Sequence, residues 1–195
     1  MNKVKNFAEE LVYWYLRFNG FFPLANFVLH REGLCAGSQS ADADLIAIRP
    51  KFVYEEIGVD HKDPMLFKHF SMKTNIGLMC EVKSGNYVSR EDIHLGRKER
   101  ISYCLKRIGF FSNKKLQEHS KTLESHPIAK GDFHQVGKLL VTKREMHVPG
   151  FICLSLDHIE KFIMERISLF SREKDGAKLH FDSDMLQYMI WKHNM

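Results

Sequence analysis

The chain of 195 residues is poor in the residues that staple, zip or anchor a protein. Its four cysteines, Cys35, Cys80, Cys104 and Cys153, are far apart, with no CxxC pair and no Cys–His spacing of a zinc finger. That excludes a disulfide scaffold and a structural zinc module, and it leaves buried free thiols. Among 11 histidines there is no HxH or HExxH, so a histidine-based metalloprotease is excluded and each histidine is expected to be structural or incidental. His119 and His126 straddle the end of a predicted helix and are expected to be exposed. No apolar run approaches the roughly 20 residues that cross a bilayer. The opening MNKVKNFAEELVYWYLRF is interrupted by Glu9, Glu10 and Arg17, unlike a signal peptide, so a cytoplasmic protein is expected. There is no internal repeat, low-complexity tract or linker, so residues 1–195 read as one domain.

What is present is ordinary for a globular protein. Apolar residues make up 44%, including 15 Phe, enough for a real core. Charged residues at 27% do not reach the bias of a disordered chain. The net charge of +5 permits a polyanionic partner without requiring one.

Hydrophobic spacing sets the expected order α-β-β-β-α-α-β-β-α-α. Phe7, Leu11, Trp14, Tyr15 and Phe18 mark a helix over 3–19, closed by Gly20. Strands follow at 21–30, 41–48 and 76–83, with a turn over 31–40. Residues 51–75 read as an insertion, either a long loop or a short helix, although Phe52-Val53-Tyr54 could prolong the second strand. Ser89, followed by Glu91 and Asp92, predicts a helix N-terminus, with Ile93, Ile101, Leu105 and Ile108 as its buried face. A further helix runs from Ser112 to about Ser125, and strands from 138–142 and 151–156. Residues 157–195 form a C-terminal helical part, with Ile159, Phe162, Ile163, Ile167 and Phe170 as an apolar stripe. This order implies an α/β fold, one mixed sheet flanked by helices.

Acids appear where a core would not need them. Asp44 opens the apolar run Leu45 to Ile48, and Glu81 and Lys83 interrupt the apolar strand from Ile76. Strand side chains alternate, so Glu81 and Lys83 share one face while Leu78, Cys80 and Val82 share the other. If Asp44 lies on the neighbouring strand, two carboxylates and an ammonium converge. Two carboxylates and the Val82 backbone carbonyl suit Mg²⁺, a hard cation that keeps several waters, and Mn²⁺ can substitute. Lys83 would orient a water or neutralise charge growing on phosphoryl oxygens.

The ordered set of Asp44-Leu-Ile-Ala-Ile and Glu81-Val82-Lys83 resembles the PD-(D/E)xK, or restriction-endonuclease-like, superfamily. Glu9 and Glu10 through Gly20-Phe21 are similar to the opening helix of its archaeal Holliday-junction resolvases, whose spacing favours Glu9. The resemblance covers residues 7 to about 110. It implies a three-layer α/β/α fold and Mg²⁺-dependent hydrolysis of DNA phosphodiesters. It also implies Asp44 and Glu81 as metal ligands, Lys83 as catalytic lysine, and Glu9 reaching the metal through water. The chain departs from the family in Ala43, where a proline often stands, in the long gap from Asp44 to Glu81, and in Ser84-Gly85, where some relatives carry glutamine. Asp42 therefore stays a rival ligand. Asp42-Ala43-Asp44 also resembles the DxD of glycosyltransferases, but no nucleotide-sugar domain fits this length. Arg97, Lys98, Arg100, Lys106 and Arg107 either meet DNA phosphates or form a plain solvated helix face. A homodimer would supply two centres for cutting both strands, though no interface is marked in the sequence. The competing expectations are a catalytically inactive nucleic-acid-binding or assembly module of the same fold, and an inhibitor or regulatory subunit.

Overall fold

The computed structural model describes residues 6–27, 43–54, 60–169 and 181–193. Cys35, Asp42 and Phe170, and the expected turn over 31–40, lie outside them.

Helix α1 (Phe7–Phe18) starts where the Asn6 side chain accepts the Ala8 N–H, and Glu9 and Glu10 favour the positive end of its dipole. Gly20, at φ 76°, turns the chain back into β1 (Phe22–Phe27). β1 pairs antiparallel with β2 (Ala43–Arg49), and β2 with β3 (Asn75–Lys83). β3 runs parallel to β5 (His134–Thr142), whose other side takes β4 (Ile128–Lys130) antiparallel and β6 (Ile152–Ser155) parallel. The result is a mixed six-stranded sheet in the order β1-β2-β3-β5-β4, with β6 beside β5.

Helices cover both faces. On one, Leu45, Ala47, Leu78, Cys80 and Val82 pack with α1, α5 (Leu156–Leu169) and α6 (Asp184–His193). On the other, Ile46, Met79 and Val136 pack with α3 (Lys98–Ile108) and α4 (Asn113–Ser125). Each fully buried Leu or Ile on these faces contributes about 1.5–3 kcal/mol. Gly137 is needed for close packing, because a Cβ there would lie 2.7 Å from the Phe70 ring.

Several expectations need correction. The helix predicted from Ser89 begins nine residues later. Ser89 and Asp92 do cap one another, but around a turn (Ser89 Oγ to Asp92 Oδ2, 2.7 Å). Next comes a short 3-10 turn, His94–Gly96, whose leading amides are captured by a strand side chain, and Ile93 packs with Leu140 and Val148. Phe52 to Tyr54 does not extend β2, which ends at Arg49 before Pro50. The insertion contains a short helix, α2 (Pro64–Phe67), capped by Asp63. β4 was not anticipated, and β5 starts at His134 rather than 138. His119 is buried, stacked on Phe111 with ring centroids 3.9 Å apart, whereas His126 is exposed as expected.

Candidate metal and catalytic site

The β2–β3 register joins the two motif fragments. Leu45 lies opposite Cys80, so one step further Asp44 faces Glu81 across the strand pair, on the same side of the sheet. The Val82 N–H donates to Asp44 Oδ2 at 2.7 Å. Asp44 Oδ1 carries no hydrogen bond to a described residue. Lys83 reaches back along its strand face to Glu81, Nζ to Oε1, at 2.8 Å.

Glu81 is only 5% exposed, and its carboxylate has a second task. Oε1 accepts the His94 N–H at 2.9 Å and Oε2 the Leu95 N–H at 2.7 Å. The strand acid therefore fastens the 3-10 turn to the sheet.

Glu9 and Glu10 part company. Asn6 Nδ2 donates to Glu9 Oε1, and the Glu9 charge acts on Asp44. Glu10 instead accepts from Ser183 Oγ at 2.7 Å, at the start of α6. The Asp44 carboxyl is pushed up to about 6, first by burial and then by the charges of Glu9 and Glu81, with the Val82 amide and Lys83 acting the other way. Burial raises the Cys80 thiol, helped by the charges of Asp44, Glu81 and Glu9. His94 is lowered by burial, with Arg100, Lys83 and Arg97 adding to the effect against Glu81.

Two carboxylates, Asp44 and Glu81, thus share one face with the Lys83 ammonium, and the Glu9 charge on α1 reaches Asp44. That imbalance, and the free oxygen on Asp44, fit a hard divalent cation. Among the described residues no group of three or more His, Cys, Asp or Glu side chains is placed to hold a metal ion. An Mg²⁺ site that keeps its waters and takes two carboxylates does not need such a group. Arg97, Lys98, Lys106 and Arg107 are exposed and Arg100 half-buried, so α3 and the residue before it carry cations on their outer side, with Arg97 and Arg100 at the end near His94.

A second polar centre escaped sequence reasoning. Asp63, 1% exposed, accepts from Tyr15 Oη at 2.5 Å, from the Met65 N–H at 2.8 Å, and pairs with His158 Nε2 at 2.7 Å. Burial, then Asp63, drives the Tyr15 phenol well above its ordinary value, so it stays a donor. His158 borders a cavity of about 380 Å³ with Lys62, Lys161 and Phe162. The Asp63-Pro64 pair was a legible helix start. Nothing local marks His158, which meets Asp63 only through the fold.

Comparison with family models, with curated proteins and with solved structures finds no match. No helix among the described residues is long and apolar enough to cross a membrane.

Proposed function

We propose that this chain is a metal-dependent nuclease of restriction-endonuclease-like fold that hydrolyses DNA phosphodiester bonds. The observation that carries the reading is the opposition of Asp44 and Glu81 across β2 and β3, with Lys83 on the same face. The helices on both faces of the mixed sheet and the effect of the Glu9 charge on Asp44 support it.

Asp44 and Glu81, with the Val82 carbonyl, would hold Mg²⁺ or Mn²⁺, and Glu9 would bear on it through water. The bound ion supplies Lewis-acid polarisation of the phosphoryl group and a more acidic water. Lys83 would offset charge on the non-bridging oxygens while water adds to phosphorus, giving up a proton to solvent, and the P–O bond breaks, the leaving oxygen taking a proton from solvent. The outer face of α3 offers cations to neighbouring phosphates, which positions DNA without reading its sequence.

The second reading, a DNA-binding module without catalysis, draws on the structural work of Glu81, since a carboxylate that fastens a turn has a reason to be there without a metal. Cleavage separates the two. Purified protein with plasmid, branched and single-stranded DNA and Mg²⁺ or Mn²⁺ should cut at least one substrate. Lys83→Met and Asp44→Asn should each reduce the rate at least a hundredfold, the scale of losing an electrostatic catalytic group. Undiminished cutting by both variants refutes the site, and binding without cutting by wild type selects the module.

A further inference from the structure

The two oxygens of a carboxylate offer about four lone-pair positions. In Glu81 three are taken, by the amides of His94 and Leu95 and by the Lys83 ammonium. The amides belong to a turn anchored by the buried Leu95 side chain, so they leave only if the turn is remade. Lys83 is different: its ammonium rides on a flexible four-carbon stem, and its side chain is 25% exposed. It is the one donor of the three that can depart cheaply. Asp44, directly opposite, has an oxygen to spare.

We propose that Lys83 is the built-in counter-ion of Glu81, competing there with the divalent cation, so that cation uptake and release of the ammonium from Glu81 are one exchange. This rests on the metal-site reading above. Without the cation, the ammonium is spent on Glu81 and unavailable to a phosphate. With it, the same ammonium is set free beside the position the phosphate would take. Linkage makes the effect reciprocal: whatever holds Lys83 on Glu81 weakens cation binding, and removing the ammonium strengthens it.

Mn²⁺ binding, followed by the spectrum of the free ion in electron paramagnetic resonance, tests this without any cleavage. Lys83→Met should bind Mn²⁺ roughly tenfold tighter than wild type, the scale of one charge-assisted hydrogen bond removed from competition. Lys83→Gln, which keeps a donor but no charge, should fall between them and covers the case in which Lys83→Met does not fold. Asp44→Asn should bind more weakly. In wild type carrying ¹³C-labelled lysine, the Lys83 Cε signal should move on saturation with Mg²⁺. The exchange is overturned if Asp44→Asn weakens binding while both Lys83 variants match wild type, or if the Lys83 signal stays put at saturation. Absence of Mn²⁺ binding by every protein overturns the metal site and the exchange together.

Discussion

Asp44→Asn should make the metal-free protein more stable at neutral pH and, on the nuclease reading proposed above, should also remove cleavage. Its carboxyl titrates near 6, against an ordinary 3.8, mainly because it is buried, with Glu9 and Glu81 nearby. At about 1.36 kcal/mol per pKa unit, that gap puts an upper bound of about 3 kcal/mol on the cost of keeping the carboxylate charged at pH 8. Asp44 is partly exposed, and asparagine still offers the Val82 N–H an oxygen, so the expected gain is about 1–2 kcal/mol. The sign follows from proton uptake. Between 3.8 and 6 the folded state binds the proton more tightly than the unfolded chain, so this group's contribution to stability falls as pH rises through that window. Above it the penalty is complete, and below it the penalty vanishes. Urea denaturation with EDTA at pH 8 and pH 4 measures both ends. The variant should lead wild type at pH 8 and lose the lead at pH 4. A variant less stable than wild type at pH 8, or an equal difference at both pH values, refutes the account of Asp44 as a crowded acid kept at a cost in stability.

Glu81→Ala should behave oppositely and lose about 2–4 kcal/mol, because it leaves two amides of the turn without their acceptor; faster hydrogen exchange at His94 and Leu95 would mark the freed turn. Lys138, 1% exposed with its ammonium 4.4 Å from the Phe151 ring centroid, is lowered to about 8 by burial, against a raising effect from Glu124. Its folded value lies below its unfolded one, so stability should rise between about pH 8 and 10.5 as the charge is shed. Lys138→Met should therefore stabilise by about 1–3 kcal/mol at pH 7, with the gain shrinking by pH 10 in the same urea assay. Asp63→Ala should cost about 3–4 kcal/mol, since Tyr15, Met65 and His158 all lose their acceptor; a loss under about 1 kcal/mol would show that water replaces the carboxylate.

Where periodicity carried the information, the sequence was enough. Alternation assigned Asp44, Glu81 and Lys83 to one side of their strands and Leu45, Leu78 and Cys80 to the other, because a strand side chain has only two directions. The stripe in α1 and the apolar positions of α5 were legible for the same reason at a different period. The neighbourhood of β2 and β3 was not, since 25 residues separate Arg49 from Asn75 and no local rule says which strands pair. Nor was the start of α3. Local signals favoured Ser89, but Glu81 draws the His94 and Leu95 amides to the sheet, and a buried carboxylate outweighs a surface cap. The Asp63 hub was hidden likewise, its partners standing 48 and 95 residues away. The sequence by itself settled which residues could share a face. Only the tertiary structure decided that Asp44 meets Glu81, that Ser183 engages Glu10, and that Glu81 holds a turn as well as a lysine. Side-chain direction is a local property of the backbone; the pairing of strands, and the burial that gives a carboxylate its charge environment, are properties of the whole chain.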